Sequence, residues 1–164
     1  MLRISKLADY GTAVMSLAAR RPEEVHSAAK IAVRLGIGQA TVSKLLKLLA
    51  QGGLVTAQRG VNGGYVLARP PERISLAEII DAIEGIPLGL TECSSTPGLC
   101  VQESGCLVRG NWQRISVAIR RALEGVSLAD MVLPELPPAP VSPVMFVKAG
   151  GGRRMPAAAT GERT

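Results

Sequence analysis

Along the first 130 or so residues, apolar side chains mostly recur at spacings of three and four, which predicts a mainly helical protein. Leu7, Tyr10, Val14, Leu17 and Ala18 mark a first helix over 6–20, ended by Pro22, which cannot continue one. Ser27 stands where it can cap a second, alanine-rich helix running to 35, and Gly36-Ile37-Gly38 breaks that pattern. A third helix is predicted over 39–51. Val42, Leu45, Leu46 and Leu49 share one face, Thr41, Ser43, Lys44 and Lys47 the other, and Gly52-Gly53 supplies the stop.

Two short strand-like runs follow, 54–59 and 65–68, joined by Gly60-Val61-Asn62-Gly63-Gly64, a hairpin loop rich in residues that tolerate positive φ. Arg69-Pro70-Pro71 is a linker. Ser75 and Glu78 have capping-box spacing ahead of a helix to 84, which Gly85 and Pro87 end. Residues 86–106 read as a loop. A long helix over 107–124 carries an apolar stripe of Val108, Trp112, Ile115, Ile119, Ala122 and Leu123; Gly125 stops it, and Ser127 can cap a last turn to 132. From 134 onward the composition changes. More than half of the chain's 11 prolines and the Gly150-Gly151-Gly152 run lie there, which predicts a disordered tail over 134–164.

Helix, glycine-containing turn, helix is the layout of a helix-turn-helix, and the hairpin after it makes a winged helix. The second helix of such a unit needs an apolar face for packing and a short polar face for the major groove. Leu45, Leu46 and Leu49 meet the first need. Gln39, Ala40, Thr41, Ser43 and Lys44 meet the second, at the N-terminal end where base edges are reached, with Lys47 one turn further along. Gln pairs with adenine, a Thr methyl touches the thymine methyl, and Lys reaches guanine or phosphate. Ser27, at the start of the preceding helix, and Arg59 and Asn62, on the hairpin, complete the candidate DNA contacts, with Arg59 aimed at a minor groove. Charge supports this. The chain of 164 residues has a net charge of +6, and the excess lies in front: residues 1–73 sum to +7 and residues 74–133 to −3. A basic front half beside an acidic second half is expected of a chain that meets a polyanion. The division predicted is therefore a DNA-binding unit over 1–73, a second unit over 74–133, and the tail.

Composition excludes other classes. No uncharged apolar run of transmembrane length occurs, and Asp9 interrupts the start too early for a secretory signal. Only four aromatic residues are present, which argues against modules that stack bases on aromatic platforms. Three cysteines cannot all pair within one chain, so a reducing, cytoplasmic setting is expected.

Those cysteines are spaced Cys93-x6-Cys100-x5-Cys106. No CxxC pair occurs, so a zinc knuckle fits badly. Three thiolates on one loop suit a soft metal centre, including an iron–sulfur cluster; three inert thiols, or one disulfide and a spare, are the alternatives. The single histidine, His26, reads as a residue ahead of a helix cap. A thiol-redox enzyme lacks both the CxxC motif and a nearby base, and no enzyme activity is expected.

These residues resemble a family, the IscR/NsrR-type winged-helix regulators that carry iron–sulfur clusters. The matching segments are RISKLADYGTAVM (3–15), TVSKLLKLLAQGGLV (41–55), QRGVNGGYVLARP (58–70), ISLAEIIDAIEG (74–85) and the three-cysteine loop. The tract from LTECS (90–94) through NWQRI (111–115) to LEGVSLADM (123–131) is most similar to the subgroup that controls SUF cluster-assembly genes. The resemblance covers about 1–133. It implies a cytoplasmic homodimer, paired through helix 107–124, that represses from a palindromic site on double-stranded DNA. It also implies a [2Fe–2S] or [4Fe–4S] cluster on Cys93, Cys100 and Cys106. One position departs from the IscR branch: Arg109 stands where that branch has a ligating histidine. In the NsrR branch an aspartate in the partner's first helix is the fourth ligand, and Asp9 matches it. A regulator sensing through thiol, disulfide or zinc chemistry is the alternative.

Overall fold

The computed structural model describes residues 3–60 and 63–133. Helix α1, Lys6–Ala19, starts at Ser5, whose hydroxyl accepts the Ala8 N–H at 3.0 Å. Helix α2, Ala28–Leu35, is capped in the same way by Ser27 and ends at Gly36 in the left-handed region (φ 65°). Helix α3, Gln39–Gln51, follows after the turn Gly36-Ile37-Gly38 and stops at Gly52. Strands β1, Val55–Gln58, and β2, Gly64–Leu67, pair antiparallel, with Val55 opposite Leu67 and Gln58 opposite Gly64.

His26 adds a short third rung to this hairpin. Its N–H donates to the Tyr65 carbonyl (2.8 Å) and its carbonyl accepts the Tyr65 N–H (2.9 Å). Strand β2 is thereby tied, one pair from the hairpin loop, to the residue that precedes the α2 cap. Glycine is required at position 64, because a Cβ there would lie 2.6 Å from the His26 carbonyl oxygen. The linker at 69–71 runs into a 3₁₀ turn, Pro71–Arg73. Helix α4, Leu76–Glu84, has the full capping box: Ser75 Oγ accepts the Glu78 N–H, and Glu78 accepts the Ser75 N–H at 2.8 Å. The segment expected to be loop throughout contains one short helix, α5, Glu92–Ser95. Helix α6, Arg109–Glu124, begins two residues later than its pattern predicts, and a 3₁₀ turn, Asp130–Val132, closes the described chain. Asn62 and the expected tail over 134–164 lie outside the described residues.

The fold is mainly α with a small β-hairpin wing, as expected. One core unites α1, α3 and α4: Val14 and Met15, Leu45, Leu46 and Leu49, then Ile79, Ile80 and Ile83, with Leu54, Ile74 and Leu128 beneath. Each fully buried Leu or Ile contributes about 1.5–3 kcal/mol before the entropy of ordering is set against it. This core runs unbroken across residue 73. Two glycines let α4 bed deeply: a Cβ on Gly11 of α1 would meet Ile83 at 2.8 Å, and one on Gly52 would meet the Ala82 Cβ at 2.6 Å. The recognition-type helix α3 and the helix that leads to the cysteines are therefore in backbone-close contact.

Helix α6 is attached differently. Ser116 is its one buried residue. Val108, Trp112, Ile115 and Val117 are about half exposed, at 51%, 41%, 42% and 47%. Of the stripe that periodicity identified, Val108, Trp112, Ile115 and Ala122 are exposed within one chain, while Ile119 is half-buried and Leu123 packs against the core.

Candidate functional site

The N-terminal half of α3 presents Gln39, Ala40, Ser43 and Lys44 to solvent, and Lys47 continues the same exposed face; Thr41 is half-buried. Opposite them, Val42, Leu45, Leu46 and Leu49 are fully buried, so the helix cannot rotate without exposing its core face. Ser27 is half-buried and its hydroxyl is engaged by the Lys30 N–H at 3.3 Å. Arg59 is exposed just past β1, on the way into the hairpin loop. Among the described residues, Lys44, Lys47 and Arg59 make no ion pair. Their charge is available to an outside anion.

The other candidate centre is the segment between α4 and α6. Cys93 lies on α5 and is buried, and Cys100 and Cys106 are half-buried; all three thiols are free. The Thr91 hydroxyl lies 3.3 Å from Cys93 Sγ, and the Thr91 carbonyl accepts the N–H groups of Ser94 (2.9 Å) and Ser95 (3.1 Å). A Cβ on Gly89 would collide with Ser95, so residues 89–95 form one tight unit around Cys93. Two bonds pin this unit. The Leu88 N–H donates to Asp81 Oδ1 of α4 (2.8 Å), and the Leu90 N–H donates to Ser116 Oγ of α6 (3.1 Å). Asp81 Oδ2 takes Arg120 Nη2 of α6 at 2.8 Å, and Arg120 Nε reaches Glu124 at 2.8 Å. The hydrogen bond that Arg120 donates to Asp81 raises the Arg120 pKa above its ordinary value, outweighing partial burial, and the charge of Asp81 and the bond to and charge of Glu124 add to the effect. No spacing rule predicts these contacts, which join residues up to 39 positions apart.

Around Cys100 and Cys106 the chain is held by Glu103. Its carboxylate accepts the Gly98 N–H at 2.6 Å and pairs with Arg109 at 2.6 Å. Arg109, standing where one branch of the resembling family has a histidine ligand, is thus occupied by an ion pair. Asp9 sits exposed in the first turn of α1. Among the described residues, no three His, Cys, Asp or Glu side chains stand together as a formed metal-ion cage. The donor set itself, three unpaired thiols on one segment, has the chemistry that iron–sulfur groups use.

A helix-turn-helix with a basic hairpin, followed by a cysteine-bearing segment and a long uncovered helix, defines a winged-helix DNA-binding regulator. The chain belongs to the Rrf2 family, whose model is described as an iron-dependent transcriptional regulator and matches residues 4–134. It is 31% identical over 133 residues to the HTH-type transcriptional regulator IscR of Cereibacter sphaeroides, covering 80% of this chain and 86% of that one. Among solved structures it resembles CymR, the global cysteine regulator of B. subtilis (TM-score 0.61, 31% identity, 80% of this chain and 97% of that one). It also resembles T. potens IscR (TM-score 0.59, 31% identity, 80% and 86%). The protein is therefore a DNA-binding transcriptional regulator, not an enzyme. No helix among the described residues is long and apolar enough to cross a membrane.

Proposed function

We propose that this regulator binds a palindromic promoter site as a homodimer and that an iron–sulfur cluster sets its affinity. In this reading residues 1–73 read DNA. The N-terminal turns of α3 enter the major groove through Gln39, Ala40, Thr41, Ser43, Lys44 and Lys47, with Ser27 at the phosphates and Arg59 and Asn62 on the wing. Residues 74–133 pair the protomers through α6 and hold the cofactor. Two recognition helices related by a twofold axis engage half-sites about one helical turn, roughly 34 Å, apart.

Cys93, Cys100 and Cys106 would hold the cluster, with Asp9 of the partner subunit as the fourth donor. A bound cluster supplies a centre sensitive to redox state and iron supply. What the chain contributes is three thiols on a segment anchored to both α4 and α6, and that one observation carries the reading. The targets proposed are SUF-type cluster-assembly genes, repressed by the protein; the similarity of 90–94, 111–115 and 123–131 to that subgroup supports this.

A second reading has its own support. The thiols are free and not caged, and CymR is described as a cysteine regulator, so sensing by thiol oxidation without a cluster is the competitor. Anaerobic purification separates the two. The expected product is brown, with iron and acid-labile sulfide, and Cys100→Ala is colourless. Colourless wild-type protein free of iron and sulfide overturns the cluster reading.

A further inference from the structure

The carboxylate of Asp81 is shared between two strangers. One oxygen holds the backbone of the segment that leads to Cys93, and the other holds Arg120 on α6. The next residue, Ala82, is the one against which Gly52 closes at the end of α3. Leu90, three residues before Cys93, is fixed on Ser116, the one buried position of α6. Arg120 Nη1 is buried and without a partner, so its guanidinium is held through Nη2 on Asp81 and Nε on Glu124, and loss of Asp81 leaves Glu124 of its own helix as its remaining anchor.

We propose that Asp81, with Arg120 and Ser116, is the positioning residue through which a change at the Cys93 sulfur reaches the recognition helix. The inference rests on the reading of the cysteine segment as the sensor. Pulling Cys93 toward a ligand set or a disulfide moves residues 88–91, whose two amide pins lie on Asp81 and Ser116. A shift of Asp81 moves α4, and α4 cannot move along α3 freely because Gly52 and Ala82 leave no room between them. Close packing thus converts a displacement of a few tenths of an ångström at the loop into one at the C-terminal end of α3.

The test uses full-length protein and two readouts. Asp81→Asn keeps an acceptor for Leu88 and removes the charge facing Arg120; Arg120→Gln removes the other half. Arg121→Gln, on the same helix and in no ion pair among the described residues, is the control. In the reduced, metal-free protein, amide hydrogen exchange at Leu88 and Leu90 and at Gly52, Gly53 and Leu54 is expected to rise at least tenfold in both variants. The α2 amides and the control stay as in wild type. Faster exchange confined to 88–90, or a uniform rise across all helices, overturns the link. The second readout is the ratio of operator affinities between the loaded or oxidised protein and the reduced, metal-free one. Both variants are expected to shrink the wild-type ratio at least threefold toward one, and an unchanged ratio overturns the proposal. A wild-type ratio of one refutes the sensor reading instead, and the exchange data still judge the Asp81 link on their own.

Discussion

Gly52 and Gly53 are neighbours with different physical reasons for being glycine, and the difference can be measured. At Gly52 the backbone is ordinary (φ −76°), so alanine is conformationally acceptable there. The obstacle is space: its Cβ would sit 2.6 Å from the Ala82 Cβ, where carbon atoms settle at about 3.5–4.0 Å. Helices α3 and α4 must part by about 1 Å, a form of overpacking that costs about 1–3 kcal/mol. Reduced freedom of the unfolded chain returns about 0.4–1 kcal/mol of this. Gly52→Ala is therefore expected to destabilise by about 1–2 kcal/mol, some 3–8 °C in Tm for a domain of this size. At Gly53 the balance inverts. A Cβ meets nothing within 4 Å, but φ is +70°, and an L-residue there costs about 1–2 kcal/mol in backbone strain. A double-mutant cycle with Ala82→Gly distinguishes the two. Urea unfolding followed by circular dichroism, at fixed protomer concentration, is expected to give a coupling of about 1–2 kcal/mol for the 52/82 pair and under about 0.5 kcal/mol for 53/82. Equal couplings, or none for 52/82, would refute the claim that α3 and α4 are in steric contact at this point.

Other consequences are simpler to check. Lys44→Ala and Arg59→Ala should each weaken operator binding, and if Lys44 meets a phosphate, its loss should reduce the slope of log affinity against log salt by about one; unchanged affinity in both moves the DNA surface elsewhere. Ser75→Ala should cost about 1 kcal/mol through the lost α4 cap, read by thermal unfolding. Partial burial alone would raise the Glu78 pKa, but bonds from Ser75 and Arg69 outweigh it and hold the pKa below its usual 4.5, so its contribution is present at neutral pH and is lost as pH falls through that lowered value. The stability gap between wild type and Glu78→Gln should accordingly be flat above pH 4.5 and close below it. If α6 pairs the protomers as proposed, Ile115→Asp, 42% exposed on that helix, should give a monomer in sedimentation analysis without loss of helical signal.

The elements legible in the sequence are those whose causes are local. The Ser27 cap, the left-handed Gly36 and Gly85, and the Ser75–Glu78 box each need only a few consecutive residues, and α2, α3 and α4 lie where those signals put them. The four-residue α5 is too short to show a period, and Thr91 gives it no side-chain cap. The turn at Pro71–Arg73 was hidden inside a proline pair that reads as a linker. The His26–Tyr65 rung and the contacts of Asp81, Ser116 and Arg120 depend on chain segments meeting in space, which no spacing along the sequence encodes. For the cysteines the sequence supplied donor type and number. Their arrangement around a ligand is a property of residues 93–106 that one chain by itself leaves open-handed, with thiols separate and Glu103 clasping Arg109 instead.

Trp112 is the one tryptophan of the chain, and it stands 41% exposed in the first turn of α6. Nature has thus put the molecule's only indole fluorophore at the surface a second copy would cover. Its emission maximum should move to shorter wavelength if subunits associate and return on dilution, which makes self-association readable without any attached dye.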